Sequence, residues 1–441
     1  MSVTLTGMMP SLWEVALLVD VTLDYNFNWV QIKNRRENDA RSADDSWCGR
    51  RLLQSSCSHR LAGDIVTDFE IPHSQKGFKY FFNQITSFVQ AYEVSDIVVG
   101  MEGTNGHARP LDQMVKDKGY ILLNVNNLKF ARFKEIFATP GKNDRMDARQ
   151  IVTLMMMAPM MEQGKEVLQE VHNISEIETK LKRISRRRQQ IVQEKVIVQN
   201  RMQADLQSIC PGFLSMFAQV DSLYVLRFLS CRSDIRKLKR LRLSTIRKIP
   251  GIGKGHAKKL QRWQQEASFG SEVEWVGPMI SEDAARLLSL KEKLAELEKQ
   301  IEILVKQSRL ASLLLSIPGF GTICAGTIAA EIGTINRFDS EAGLAIYLGM
   351  APLDNSSGLY EGTKSPKQVN KHAKRAMMTA LGHHIRKVAE SKTYYEKKRD
   401  EGKKYNQALR SLGRHLTRVI WSMIKHNRNY QTRKEEPTRV A

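Results

Sequence analysis

Short apolar runs and alternating apolar and polar residues mark the first 160 residues, and this pattern predicts strands joined by amphipathic helices. The predicted strands cover residues 14–21, 29–32, 68–71, 96–101 and 120–125. The predicted helices cover residues 74–92, 108–118, 128–137 and 144–157. Strands dominate the first part and then alternate with helices. We therefore predict one α/β domain over residues 1–160.

The order of these predicted elements is that of a ribonuclease-H-like sheet, in which consecutive strands pair before the first helix. One stretch interrupts the order. Residues 35–63 are polar and rich in Arg and Ser, and residues 35–60 of this stretch read RRENDARSADDSWCGRRLLQSSCSHR. We predict that they form an inserted surface loop or a flexible basic segment.

The pattern changes to long charged helices after Asn173. One helical stripe has apolar residues spaced by threes and fours: Ile177, Leu181, Ile184, Ile191, Val198 and Met202. A second has a heptad spacing: Leu287, Leu290, Leu294, Leu297, Ile301 and Leu304. Two such helices can form an antiparallel hairpin, and either ordinary packing or self-association would bury their seams. We predict a coiled-coil or helical region over residues 161–310 and a helical third region over 311–441.

An internal repeat flanks the second long helix. IRKIPGIGKGHAKKL (246–260) and LLSIPGFGTICAGTI (314–328) share the pattern I-P-G-x-G before a helix that is rich in small residues. Such a turn can present backbone N–H groups to a phosphate, as in a helix-hairpin-helix, or can serve only tight packing. Lys254 and Lys258 make the first copy the better candidate for nucleic-acid contact, since the second copy lacks basic residues.

Four acids are the candidate catalytic residues. Asp20 and Glu102 each end an apolar strand, and Asp144 and Asp147 lie three residues apart at the start of a predicted helix. An acid at a strand end can be aimed at a metal, and residues at i and i+3 share a helix face. Four oxygen ligands suit paired Mg²⁺ ions. Each acid taken alone is more often a cap or turn residue, but the four in this order within one domain are not expected by accident. Asp24 competes with Asp20, and we prefer Asp20 because it directly follows the apolar run.

The charge balance indicates the partner. The chain has 68 Lys and Arg against 47 Asp and Glu, a formal charge of +21. Residues 362–441 contribute 21 basic and 6 acidic residues. This one-sided charge is typical of nucleic-acid binding. The candidate contacts in this stretch are Lys371, Lys374, Arg375, Lys397, Lys398, Arg399, Lys403 and Lys404.

Other features narrow the class of protein. No apolar run has the length of a membrane span, and the first ten residues lack the basic start and apolar centre of a secretory signal. The five cysteines are odd in number and scattered, which indicates reduced thiols of the cytosol. A polar loop, LDNSSG, contains Ser356 and Ser357 before Gly358. Taken alone, such serines are usually turn residues.

Six segments together resemble one family. LLVDVT, VVGMEGTNGHARPL, GKNDRMDAR, SIPGFGTICAGTIAAEIG, YLGMAPLDNSSG and NKHAKRAMMTAL occur in this order. They look like the bridge-RNA-guided DEDD serine recombinases, insertion-sequence transposases related to Piv-type DNA invertases. The resemblance extends from about Trp13 to Tyr430. It implies a RuvC-like domain, a coiled coil and a transposase domain with a nucleophilic serine.

The resemblance also implies functional residues and partners. Carried over by motif, the metal-binding acids are Asp20, Glu102, Asp144 and Asp147, and the nucleophile is Ser357, with Ser356 as the alternative. The implied cofactor is Mg²⁺ and the implied partners are donor and target DNA and a structured bridge RNA. A homodimer or homotetramer in the bacterial cytoplasm, associated with the nucleoid, is expected. A RuvC-like structure-specific endonuclease would need only the acids, and an architectural nucleic-acid binder would need neither acids nor serine.

Overall fold

A computed structural model describes residues 14–20, 27–36, 53–61, 64–92, 96–102, 109–136, 144–160, 167–217, 219–358, 360–364, 366 and 369–431. The chain divides into two compact units, Met1–Asn173 and Ile174–Ala441. Each unit is described by itself below.

A seven-stranded sheet forms the centre of the first unit. Its strands are β1 (Glu14–Asp20), β2 (Phe27–Arg36), β3 (Leu53–Leu61), β4 (Asp64–Pro72), β5 (Asp96–Glu102), β6 (Ile121–Val125) and β7 (Leu168–Glu170). The strand order is β4-β3-β2-β1-β5-β6-β7. Strands β5 and β6 run parallel, whereas every other neighbouring pair in this order is antiparallel.

Helices cover both faces of this sheet. They are α1 (Gln75–Tyr92), α2 (Arg109–Asp117), α3 (Asn127–Lys134) and α4 (Asp144–Met157). Val99 of β5 packs in a cluster with apolar residues of α1 and α2, and its neighbour Val98 packs in a second cluster with α3 and α4. Because successive strand residues point to opposite faces, this short apolar run is buried on both sides.

The predicted elements of the first unit need two corrections. Residues 53–61 were expected in an inserted loop but form β3, which pairs with both β2 and β4. Its sequence LQSSCSHRL is mostly polar, so the apolar alternation that identifies a strand is missing. Residues 37–52 of the predicted insertion lie outside the described residues. The unit also extends beyond residue 160 to Asn173, because β7 completes the sheet by pairing with β6.

The second unit is almost entirely helical. Its first helices are α5 (Glu176–Ile209), α6 (Pro211–Met216), α7 (Leu223–Leu229), α8 (Ile235–Leu238), α9 (Leu243–Arg247), α10 (Lys254–Glu266) and α11 (Val273–Gln307). After them come α12 (Arg309–Leu315), α13 (Thr322–Ile332), α14 (Glu341–Tyr347), β8 (Leu353–Asp354), β9 (Thr363–Lys364), α15 (Lys371–His384), α16 (Ala389–Asp400) and α17 (Tyr405–Lys425). None of the helices in the described part of the chain is both long and apolar enough to cross a bilayer.

The two long helices α5 and α11 pack side by side in opposite directions. Arg188 pairs with Glu298 at 2.6 Å, whereas Arg201, further along α5, pairs with Asp283, which lies earlier in α11. The apolar seam predicted for α11 faces the interior, since Leu287 is fully buried. The predicted antiparallel hairpin of long helices is therefore present in the structure.

Two apolar cores lie along this helix pair. The first surrounds Trp263 and collects residues from the middle of the helices and from α6 to α10. The second joins Leu181 and Ile301 of the long helices to α12 through α17. The regions predicted as 161–310 and 311–441 thus belong to a single unit, because both long helices contribute residues to both cores.

Candidate active site

The acids that end β1 and β5 lie at opposite ends of these two paired strands. The two strands are antiparallel, and the register places Asp20 opposite Asp96 and Glu102 opposite Glu14. The ends of a seven-residue strand are about 20 Å apart. The structure therefore does not bring Asp20 and Glu102 together. The sequence pattern indicates where each strand ends but carries no information on the direction of its neighbour.

The other two acids begin α4, as the sequence predicts. Asp144 is the first residue of the helix and Asp147 follows one turn later. Asp147 is buried, and its Oδ2 accepts a hydrogen bond from Nζ of Lys134 at 3.0 Å. The ammonium of Lys134 also lies 4.6 Å from the ring centre of Phe130. Asp147 is thus a buried carboxylate whose charge is compensated by a cation from α3.

Helix α4 also lies beside β5. Its apolar residues share a cluster with Val125, which is directly opposite Glu102 in the register of β5 and β6. The helix that carries Asp144 and Asp147 therefore packs on the face of the sheet that includes Val98 of β5 and Val125 of β6. The side chains of Asp20, Glu102 and Asp144 lie outside the described residues.

The donor chemistry of this region fits a hard cation. Carboxylate oxygens are the ligands that Mg²⁺ takes in proteins, and the carboxylate of Asp147 is buried beside the ammonium of Lys134. Within the described residues, no group of three or more His, Cys, Asp or Glu side chains comes close enough to hold a metal. Glu102, Asp144 and Asp147 are the residues that could supply the oxygens.

Ser357 lies at the tip of a β-hairpin in the second unit. Strands β8 and β9 form its base, and the N–H of Asn355 donates to the carbonyl of Gly362 at 2.9 Å. At the tip, Ser357 and Tyr360 exchange two backbone hydrogen bonds of 3.0 Å. Gly358 has φ +58°, the left-handed conformation that such a two-residue turn requires.

The hairpin presents both candidate serines to solvent. Ser356 and Ser357 are exposed, and no described side chain forms a hydrogen bond with the hydroxyl of Ser357. Ser357 is opposite Tyr360 in the hairpin, and Ser356 precedes this pair. An exposed hydroxyl at a hairpin tip is accessible to a large substrate such as a nucleic-acid strand.

A buried polar network fixes the end of the loop that carries the serine. Asn370 caps α15 by accepting hydrogen bonds from the first turn of that helix, and its amide donates to Oε2 of Glu331 at 2.8 Å. Glu331 is 1% exposed and receives two hydrogen bonds from Arg186, at 2.7 and 2.9 Å. Burial by itself raises the pKa of Glu331, but Arg186 and Lys182 hold that pKa below its usual value.

The three predicted basic residues of α15 differ in exposure. Lys371 and Arg375 are exposed, whereas Lys374 is half-buried. The aliphatic stem of Lys374 lies against Gly349, where an added β-carbon would come within 2.7 Å of its Cδ. Lys371 and Arg375 can therefore contact a partner freely, and Lys374 presents its ammonium from a packed stem.

Two of the five cations in the basic cluster at the end of α16 pair with one carboxylate of the chain. Lys398 pairs with Glu401 at 2.7 Å, and Lys403 pairs with the same carboxylate at 3.5 Å. Arg399 donates to the carbonyl of Lys403 at 2.8 Å. Of the five predicted contacts, only Lys397 and Lys404 have exposed side chains with no partner among the described residues.

The two glycine turns differ in their surroundings. The first, residues 249–253, precedes α10, and Lys254 and Lys258 of that helix are exposed. The second, residues 317–321, is covered by α15, where a β-carbon on Gly319 would come within 2.5 Å of the backbone nitrogen of His384. That the first copy is the better candidate for nucleic-acid contact stays a prediction.

Sequence reasoning did not find the Glu331 network. Arg186 and Glu331 are separated by 145 residues and show no motif. A single Glu in the apolar helix TICAGTIAAEI was the only signal that could have indicated a buried ion pair.

Comparisons with known proteins assign two parts of the chain. Residues 311–396 match the family described as "Transposase IS116/IS110/IS902 family", and residues 56–211 match the DEDD transposase domain of IS110. The first match contains Ser357 and Lys371, and the second contains Glu102 and Asp147. Asp20 lies outside both matched ranges.

Three relatives show the extent of the similarity. The chain is 25% identical over 87% of its length to an uncharacterised 44.8 kDa protein of insertion element IS116 from Streptomyces clavuligerus, and this match covers 96% of that protein. It is 32% identical to an uncharacterised 42 kDa protein of IS900 from Mycobacterium paratuberculosis and 33% identical to one of 43.6 kDa of IS110 from Streptomyces coelicolor. These two matches each cover 34% of the chain, and 39% and 37% of the relatives. In two domains, and along nearly the whole length of one relative, the chain is thus similar to the transposases of the IS110/IS116/IS902 family.

Proposed function

We propose that this protein cuts and rejoins DNA strands through a covalent phosphoserine formed on Ser357. The observation that carries the proposal is the exposed, unpartnered hydroxyl of Ser357 at the tip of a hairpin, within the residues that match the transposase family. The buried Asp147, with Asp144 one turn away and α4 beside β5, supports a second component made of acids.

The chemistry divides between these two groups of residues. The Ser357 oxygen attacks phosphorus, its proton is released, and the displaced deoxyribose oxygen takes up a proton as the phosphorus–oxygen bond of the DNA breaks. Rejoining reverses these steps with a new DNA hydroxyl, so the bond energy is conserved. When bound, Mg²⁺ supplies charge stabilisation at the phosphate oxygens. Glu102, Asp144 and Asp147 would hold it, and Asp20 belongs to the proposal on the strand-end pattern and the resemblance alone.

Covalent capture tests the nucleophile. Purified protein is incubated with labelled DNA and Mg²⁺, denatured, and mapped by mass spectrometry. Ser357→Ala should abolish the adduct, whereas Ser356→Ala, the matched neighbour, should retain most of it. A phosphate adduct on Ser356 or Tyr360 would refute the assignment. Mg²⁺-dependent cleavage that persists in Ser357→Ala without any adduct would indicate a RuvC-like endonuclease instead.

Isosteric substitutions test the acids. Glu102→Gln, Asp144→Asn and Asp147→Asn should each lower strand exchange by roughly a thousandfold or more, because a lost ligand charge removes several kcal/mol of transition-state stabilisation. DNA binding should change little. Asp20→Asn tests whether Asp20 belongs to the metal site, because the register of β1 and β5 separates Asp20 from Glu102. Near-normal strand exchange by this variant would remove Asp20 from the site. Near-normal exchange by Glu102→Gln, Asp144→Asn and Asp147→Asn would exclude the metal site.

The proposal includes two partners of the reaction. A structured bridge RNA would pair with donor and target DNA, and the protein would assemble as a dimer or tetramer. Both rest on the family resemblance and on the excess of basic residues. Strand exchange that is lost on RNase treatment and restored by RNA transcribed from the flanking element would support the RNA. Light scattering of the protein with and without that RNA measures the assembly.

A further inference from the structure

The segment from Arg227 to Arg262 carries a large net positive charge. It contains thirteen Lys and Arg residues and one acid, Asp234, within 36 residues. Asp234 is buried, where it caps α8 and pairs with Arg236 at 2.7 Å. The only negative charge of the segment is therefore directed inward, and the exposed cations keep their charge.

Six of these cations lie around the first glycine turn. They are exposed and have no side-chain partner among the described residues: Arg242, Arg247, Lys248, Lys254, Lys258 and Lys259. We refer to these six residues as the hairpin surface; it lies around the first glycine turn and is not part of the β-hairpin that carries Ser357. Lys254 and Lys258 are one turn apart on α10, whereas Ala257, Leu260 and Trp263 of the same helix are buried. The cations thus lie on the outer face of α10, and the buried residues on its inner face hold the helix in place.

The turn itself is held in a fixed shape. Gly251 has φ +89°, and Nη1 of Arg227 donates to the carbonyl of Pro250 at 2.9 Å. The rings of Tyr224 and His256 stack at 4.0 Å beneath the start of α10. No side chain caps this helix, so its first backbone N–H groups keep no partner from within the helix.

The second glycine turn shows that the fold does not require the cations. It has the same backbone conformation, with Gly319 at φ +91° and an uncapped helix after it. At the positions of Lys248, Lys254 and Lys258, however, the second copy has Ser316, Thr322 and Gly326. The turn conformation is therefore independent of the basic residues, and the charge of the hairpin surface serves something outside the chain.

We propose that the hairpin surface binds the sugar–phosphate backbone of double-stranded DNA without reading its sequence. Lysines on one helix face, arginines before the turn and uncapped N–H groups are the groups that contact phosphate oxygens. The inference deepens the proposed function by naming where DNA is held, and it rests on DNA being the substrate. It does not depend on Ser357 being the nucleophile.

Salt dependence of binding tests the hairpin surface directly. The full chain with Ser357→Ala, which cannot form an adduct, is titrated with a labelled 30-base-pair DNA duplex at 50 to 200 mM salt. Each phosphate contact contributes roughly 0.9 to the slope of log affinity against log salt, so replacing Lys254, Lys258 and Lys259 by Gln should flatten the slope by about 2.7. Between 50 and 200 mM salt, the DNA affinity of the protein with the unsubstituted hairpin surface should therefore fall by about fortyfold more than that of the Gln variant.

Two controls separate the surface from general charge. Lys79 of α1 and Lys293 and Lys299 of α11 are exposed and have no ion-pair partner among the described residues; their replacement by Gln removes the same charge, so the slope should change by less than 1. Replacing the three hairpin lysines by Arg should preserve the slope. Equal flattening by both Gln triples would overturn the proposal, as would tight binding confined to an RNA duplex. A missing Ser357 adduct would overturn the proposed chemistry but leave this measurement unaffected.

Discussion

The two glycine turns have the same sequence pattern and backbone conformation but opposite environments. The first, residues 249–253, packs on the helical core around Trp263, and the cations on either side of it, Lys248 and Lys254, are exposed. The second, residues 317–321, is packed against α15, and the carbonyl of Pro318 lies 2.6 Å from Nδ1 of His384. The difference shows that an I-P-G-x-G pattern specifies a turn, whereas the residues around it decide whether the turn is packed against another helix or left open to solvent.

The two turns differ most in the space around their glycines. Both Gly251 and Gly319 have positive φ, so alanine is strained at either position by about 1–2 kcal/mol. A β-carbon at Gly251 would meet its nearest atoms at 3.6 Å, which is ordinary contact. At Gly319 it would lie 2.5 Å from backbone atoms of His384 that cannot move independently.

The largest expected effect is therefore that of Gly319→Ala. It should lower the free energy of unfolding of the helical unit by more than about 3 kcal/mol, because overpacking adds to the strain. Gly251→Ala should cost only the strain of about 1–2 kcal/mol. Urea denaturation followed by circular dichroism at 222 nm measures both. Similar losses for the two variants would mean that the second turn is not enclosed as the structure shows.

A titratable group distinguishes the second turn as well. His384 is fully buried, with Nδ1 at the carbonyl of Pro318 and Nε2 2.9 Å from the hydroxyl of Ser391. Burial lowers the pKa of His384, although the bond to Pro318 opposes this shift. The neutral ring is thus the form that the folded chain favours.

The prediction of intermediate size is that acidification lowers the free energy of unfolding of the helical unit. Because the unfolded chain binds a proton near pH 6.5 and the folded chain does not, stability is fully present above this pH. It should fall by up to about 1.4 kcal/mol per pH unit below 6.5, until the folded pKa is reached. Urea midpoints at pH 7.5, 6.5 and 5.5 provide the measurement, and His384→Gln is the control. A His384→Gln protein with the same pH slope would exclude His384 as the source.

The sequence predicted some elements closely because their signals are local. Residues 144–157 form α4 with the predicted bounds, since an acid at the start and an apolar face define that helix. The seam of α11 was equally readable from its heptads. Strand β3 was not, because its polar residues gain order only by pairing with strands on both sides.

Features that depend on distant partners were harder to predict. The direction of β1 relative to β5 decides whether Asp20 can approach Glu102, and no local pattern encodes it. The Glu331–Arg186 pair likewise joins segments far apart in sequence. Charge counting overstated the basic cluster of α16, because Glu401 follows Lys398 at a spacing that allows an ion pair.

The smallest expected effect concerns that cluster and refines the comparison with the hairpin surface. Lys397 and Lys404 are exposed and unpaired in the described structure, whereas Lys398 and Lys403 share the carboxylate of Glu401. Replacing Lys397 and Lys404 by Gln should reduce the salt slope of DNA binding by at most about 1.8. Replacing Lys398 and Lys403 removes the same charge but should change the slope less, because these lysines already have a counterion within the chain. Equal slopes for the two pairs, measured beside the hairpin lysines in one titration series, would mean that pairing within the chain does not decide which cations meet the phosphates.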